Sequence, residues 1–178
     1  MDINALVNLT ARAWALPALA LLHEGVPGRQ AELLSASGAG RTAFGQSLRH
    51  LEDLGLLDRN PGHGHPLRPE FRLTPVGRDR ARYAHAIVSV AGGEGDAALL
   101  RKRWTVPVLA VTGHALTFAG LKRALGPITD RALSLSLQQL SARQWIHRGV
   151  DVESFPPRPW YCAVNTGQEV ARAAGLAA

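Results

Sequence analysis

The feature that most constrains this chain is that it resembles itself. Trp14-Ala15-Leu16-Pro17-Ala18-Leu19 matches Trp104-Thr105-Val106-Pro107-Val108-Leu109 at an offset of 90 residues. Phe44, Leu48, Leu51 and the run Leu56-Leu57-Asp58-Arg59 match Leu133, Leu137, Leu140 and Trp145-Ile146-His147-Arg148 at an offset of 89. Arg68-Pro69 and Leu73-Thr74 answer to Arg158-Pro159 and Val164-Asn165 with small changes in length. Three matches in one order define a duplicated unit of roughly 80 to 90 residues, a domain-sized period and too long for a solenoid repeat. The glycine-rich breaker Gly92-Gly93-Glu94-Gly95-Asp96 separates the copies. The expected units are residues 1–91 and 97–178.

Composition allows two small cores. Of 178 residues, 46% are apolar and 19% charged, which is too little charge for a disordered chain. No run of 18 uncharged apolar residues offers a membrane span, and Met1-Asp2-Ile3-Asn4 lacks the basic start of a signal peptide. The single cysteine, Cys162, excludes an internal disulfide and a cysteine zinc site, and fits a reducing compartment.

Within the first unit, Ala5 to Leu22 is helical in composition, and Pro17 either kinks it or opens a new first turn. A second helix, about residues 29–35, turns Ala31 and Leu34 inward. After the turn Ser37-Gly38-Ala39-Gly40 comes a third helix, about 42–54, whose Phe44, Leu48 and Leu51 recur at helical spacing and form its buried stripe. Gly55 stops it. Leu56–Arg59 and Glu70–Leu73 read as a hairpin around Asn60–Pro66. Thr74-Pro75 then starts a helix as N-cap and first residue, continuing to about Ala91. The second unit repeats the order, with helices at about 97–112, 117–125 and 129–142, a hairpin across 145–164 and a last helix at 167–174. The expected fold is mainly α with small β-hairpins, of the α+β class: two tandem winged helix-turn-helix domains forming a pseudo-dimer.

Residues 12–85 resemble the HxlR-type winged-helix transcription regulators, with MarR-type regulators as more distant relatives. The resemblance is carried by Trp14 and the helix after it, by Gly40-Arg41-Thr42 opening the third helix, and by Leu48 through Arg59. The junction Phe71-Arg72-Leu73-Thr74-Pro75-Val76-Gly77-Arg78 completes it. The second unit is less similar: Arg103-Trp104 and Pro156-Pro157-Arg158-Pro159-Trp160-Tyr161 fit, but Ser141-Ala142-Arg143-Gln144 replaces an acidic pair and glycine. The resemblance implies a bacterial, cytoplasmic, nucleoid-associated regulator that binds double-stranded DNA and is not an enzyme. Family members bind as symmetric dimers, so two units in one chain imply a monomeric pseudo-dimer, or a homodimer, on half-sites about 10 base pairs apart. Any small-molecule effector is unidentified.

A recognition helix reads the major groove from near its N-terminus. The stripe leaves Arg41, Thr42, Gly45, Gln46, Arg49 and His50 facing outward in the first unit, residue types suited to base edges and phosphates. The second unit presents Asp130, Arg131, Ser134, Leu135, Gln138 and Gln139. Asp130 would repel phosphate, and Leu135 suits a thymine methyl or a protein contact equally. The first wing carries His63, His65, Arg68 and Arg72; the second carries Arg148, Arg158 and the acids Asp151 and Glu153. The DNA-facing set is therefore Arg41, Thr42, Gln46, Arg49, His50, Arg68 and Arg72, with Arg131, Ser134, Gln138 and Arg158.

Net charge is +6, yet residues 1–91 carry only +2 and residues 92–178 carry +4. The half with the better recognition helix is the less basic, so position matters more than total. The cluster Arg101-Lys102-Arg103 reads as a solvated helix end that can also approach a backbone. Trp14 and Trp104 read as packing between the repeats, with a ligand cavity as the other role. No catalytic motif is present, no cofactor is expected, and His63-Gly64-His65 has no third ligand for a metal. Cys162 reads as a small buried residue. Asp130, Leu135 and the acidic second wing support an alternative: a protein-interaction or scaffolding module that kept the fold and lost DNA binding.

Overall fold

The computed structural model describes residues 1–60, 70–153 and 155–175. The architecture is mainly helical with small antiparallel sheets. The chain divides into two compact units, Leu9–Ser89 and a second one comprising Val90–Ala178 together with Met1–Asn8. The sequence groups residues 1–91; the structure instead puts Met1–Asn8 with the second half, where the Met1 amine donates to the Gly175 carbonyl at 3.0 Å.

The apolar stretch at the N-terminus is two helices, α1 (Ile3–Leu9) and α2 (Ala15–His23). Pro17 sits in the first turn of α2, where its missing N–H costs nothing. The first unit continues with α3 (Gln30–Ser37), α4 (Arg41–Asp53), β1 (Leu57–Asn60), β2 (Glu70–Leu73) and α5 (Pro75–Val88). Helix α3 buries Leu33 instead of the expected Ala31 and Leu34; Ala31 is exposed and Leu34 half-buried. Gly38, in the left-handed conformation, turns the chain into α4. Phe44, Leu48 and Leu51 of α4 close on a core that includes Leu19, Leu33, Phe71, Ala84 and Ile87. Strands β1 and β2 pair antiparallel with Leu57 opposite Leu73, and the backbone at Arg29 makes an isolated antiparallel β-bridge with that at Glu70.

The second unit has α6 (Glu94–Leu100), α7 (Thr105–Val111), β3 (Leu116–Thr117), α8 (Phe118–Leu125), α9 (Asp130–Ala142), β4 (Ile146–Asp151), β5 (Arg158–Ala163) and α10 (Thr166–Ala174). The single helix expected over 97–112 is thus broken between Leu100 and Thr105. Pro107, in the first turn of α7, has no N–H for a ladder from Arg103 and crowds that carbonyl. The sheet order is β3-β5-β4; β3 is too short to show in the sequence.

Corresponding bonds recur at the repeat offset. The Leu56 amide donates to Leu51 O and the Trp145 amide to Leu140 O, each at 2.9 Å. The Thr74 amide donates to Leu56 O at 3.1 Å, and the Val164 amide to Trp145 O at 2.9 Å. Gly77 and Gly167 sit so close to the backbone of Leu56 and Trp145 that a Cβ would lie 1.9 and 2.1 Å from the carbonyl oxygens. Only glycine fits at these two junctions between wing and last helix.

No helix among the described residues is long and apolar enough to cross a membrane. The turn 61–66 and His63, His65 and Arg68 lie outside the described residues, and with them the question of a histidine metal site. Cys162 is half-buried on β5 instead of fully buried, and its thiol donates to Ala163 O at 3.6 Å.

Candidate nucleic-acid interface

Helix α4 buries its stripe and so fixes its other face toward solvent. Arg41, Thr42, Gln46 and Arg49 are exposed. Among the described residues Arg41 and Arg49 have no ion-pair partner, so both guanidinium groups remain available. Gly45, at half burial, lets the Gln30 side chain of α3 lie over it. His50 is half-buried and has a partner of its own. It stands further from the helix start than the other four.

The start of α4 adds a feature that the outward-facing residues do not announce. Its N-cap is Gly40, which supplies no side-chain hydrogen bond to the first turn. The first-turn N–H groups therefore keep their positive field for an outside anion. Helix α9 differs: Thr129 caps it and accepts from the Ala132 amide at 3.2 Å. Asp130 then occupies its first position.

The α9 face is nonetheless less acidic than Asp130 alone suggests. Asp130 forms an ion pair with Lys122 of α8, so the carboxylate that would repel phosphate has a cation beside it. The role of Lys122 is legible only through the fold, because the pairing joins two helices. Arg131, Ser134 and Gln138 are exposed along α9 beside Leu135, which is 51% exposed. Gln139 is half-buried.

The wings are partly committed to internal pairs. Arg72 projects from β2 and pairs with Glu70 at 2.9 Å. Exposed pairs of this kind contribute about 0–1 kcal/mol, so a phosphate can displace the acid. Arg59, absent from the expected DNA-facing set, lies on β1 with its guanidinium 6.0 Å from the Phe71 ring centroid. On the second wing Arg158 is exposed and stands across from Asp151 in the β4–β5 register. The cluster before α7 is also tied down: Arg101 pairs with Glu94, and Arg103 lies 5.0 Å from the Trp104 ring centroid. Trp14 and Trp104 are each half-buried.

No curated protein matches the chain. Among solved structures, a protein from Porphyromonas gingivalis W83 described as a MarR-family transcriptional regulator is 23% identical, over 42% of this chain and 72% of that one, with a TM-score of 0.38. The resemblance in the residues is carried mainly by 12–85, but the family match falls on the other half. Residues 99–175, from the end of α6 through α10, match the model of the HxlR-like helix-turn-helix family.

Proposed function

We propose that this chain is a sequence-specific, double-stranded DNA-binding transcription regulator built from two tandem winged helices. The observation that carries this is the outer face of α4. There Arg41, Thr42, Gln46 and Arg49 stand exposed beside an N-terminus with no side-chain cap. The family match over 99–175 supports the class of function, and the bonds recurring between the halves support a duplication. In this reading α4 is the principal major-groove reader. Helix α9 makes fewer and different contacts, so the operator is asymmetric or only pseudo-palindromic.

A second reading has its own observation. On the second unit Leu135, Val150, Val152 and Phe155 are 51%, 46%, 77% and 97% exposed, an apolar set more typical of a protein contact than of solvent. It corresponds to a winged helix that has become an interaction module.

Binding to a random-sequence DNA pool across a salt series separates the two. The regulator reading expects enrichment of a site and affinity that falls steeply with salt. Arg41→Ala with Arg49→Ala should weaken binding strongly and reduce the salt slope by about 0.9 for each phosphate no longer neutralised, while Arg131→Ala does less. Absence of enrichment and of salt dependence would overturn DNA binding and leave the interaction module. Equal losses would overturn the ranking of the two helices.

A further inference from the structure

The first strands of the two wings end differently. When the match of Leu56–Arg59 with Trp145–Arg148 is continued at its offset of 89, Asn60 answers to Gly149 and Pro61 to Val150. Strand β1 stops at Asn60, whereas β4 runs on through Val150 to Asp151. In the sheet order β3-β5-β4, strand β4 lies outermost, and among the described residues it is paired on one side alone. Shortness, proline and a bulge are devices that keep such an edge from pairing with another chain. Strand β4 has none of them: six residues run in unbroken register with β5, without a proline.

The phase of the ladder fixes which backbone groups face that open edge. The Val164 amide donates to Trp145 O, and opposed pairs in an antiparallel ladder alternate between hydrogen-bonded and not. The bonded pairs of the wing are therefore His147 with Cys162, Gly149 with Trp160 and Asp151 with Arg158. Pro159, opposite Val150, agrees with this phase, because a non-bonded position needs no N–H toward β4. The N–H and C=O groups of Arg148 and Val150 thus point outward. Among the described residues no backbone bond from outside the β4–β5 ladder reaches them. Beside them Val150, Val152 and Phe155 expose apolar side chains. Gly149 lets the Trp160 ring lie across the strand, where a Cβ would run into it.

We propose that this edge pairs antiparallel with the same edge of a second copy of the chain, about a two-fold axis at Gly149. Arg148 of each copy then exchanges both backbone hydrogen bonds with Val150 of the other. The side chains suit this register. His147 stands opposite Asp151 of the other copy, a ring N–H facing a carboxylate, and the stem of Arg148 covers Val150. An axis at Arg148 or at Asp151 would instead set like charges directly opposite each other. Across the axis the strands approach to about 4.5 Å between Cα atoms; glycine puts no Cβ there, and the two Trp160 rings meet on one face. The contact is self-complementary, so it closes at two copies. This gives the exposed apolar set of the second wing one occupant, and it stands apart from DNA binding, which the salt series reads separately.

The experiment is sedimentation equilibrium of the full chain without DNA, over a concentration series reaching high micromolar. The mass should rise reversibly from 19.0 kDa to twice that value and no further. Amide exchange followed over the same series should slow most at Arg148 and Val150, whose N–H groups are bonded only in the dimer. Val150→Pro introduces the residue that the first unit has at this place. It removes an outward N–H and leaves the β4–β5 bonds, and it should weaken dimerisation at least about tenfold. Val150→Ile keeps the N–H and should still dimerise. The Thr74 amide donates to Leu56 O, so Arg59 is an outward position of β1, and Arg59→Pro should leave the dimer unchanged. Circular dichroism identifies any variant that misfolds, and the mass and exchange of the unaltered chain need no variant. A mass that stays at 19.0 kDa, association beyond two copies, or protection that bypasses Arg148 and Val150 would overturn the proposal. So would undiminished dimerisation of folded Val150→Pro, or its loss in folded Val150→Ile or Arg59→Pro.

Discussion

The ends of α4 and α9 pose one conformational problem that the two units solve with different residues. Gly55 and Gln144 both take positive φ, +67° and +60°. Both are held from outside: the Thr74 hydroxyl donates to Gly55 O at 2.8 Å, and the Asn165 side chain donates through Nδ2 to Gln144 O at 3.0 Å. Left-handed backbone costs a non-glycine residue about 1–2 kcal/mol. Gly55→Ala meets no atom within 4 Å, so its cost should be purely conformational, about 1 kcal/mol in a denaturant melt. Gln144→Gly should do the reverse and stabilise by up to about 1 kcal/mol, less the entropy that glycine adds to the unfolded chain. No gain in Gln144→Gly would show that the bend there is unstrained. The stop at Gly55 was legible in the sequence because glycine advertises this conformation. At Gln144 nothing in the residue type signals it, and only the internal sequence match, which sets Gln144 against Gly55 at an offset of 89, points there.

At the scale of elements, the capping chemistry was readable and the ties between helices were not. Thr74 and Pro75 begin α5 as their types predict, with the Gly77 amide donating to Thr74 Oγ1 at 2.9 Å. The strap joining α6 to the end of α9 is long-range and left no local mark. Arg143 donates through Nε to the nearly buried Asp96 at 2.6 Å, and the Gly92 amide donates to the same carboxylate at 3.0 Å. The Arg143 hydrogen bond is the main cause holding the Asp96 carboxyl below its ordinary range; burial opposes it and the Gly92 amide adds to it. The folded state thus binds this proton less readily than the unfolded chain does. The stability it brings is full above the unfolded value, about 3.9, and is lost as pH falls through the lower folded value. Between about pH 5 and pH 2, Asp96→Asn should therefore lose stability less steeply than the natural chain, having already lost this contribution at neutral pH. Parallel acid profiles in thermal melts would show that the strap carries no such linkage.

For the whole molecule, the unexpected element is α1. A sequence that resembles itself invites cutting into two contiguous halves, and the apolar pattern of residues 3–9 says that a face is buried without saying against what. The structure places Met1–Asn8 with Val90–Ala178, so the two ends of the chain share one compact unit and Leu9–Ser89 lies between them in sequence. Within α1, Leu6 is 0% and Val7 3% exposed, and a buried leucine truncated to alanine typically costs about 2–5 kcal/mol. That cost should fall on the unit containing α1. Leu6→Ala should speed native-state amide exchange across residues 90–175, and the core helices α2, α4 and α5 should keep their protection. Exchange reports opening segment by segment, which makes the outcome decisive. Faster exchange confined to residues 9–89 would mean that α1 stabilises the half it adjoins in sequence. Faster exchange throughout would mean that the two units open as one.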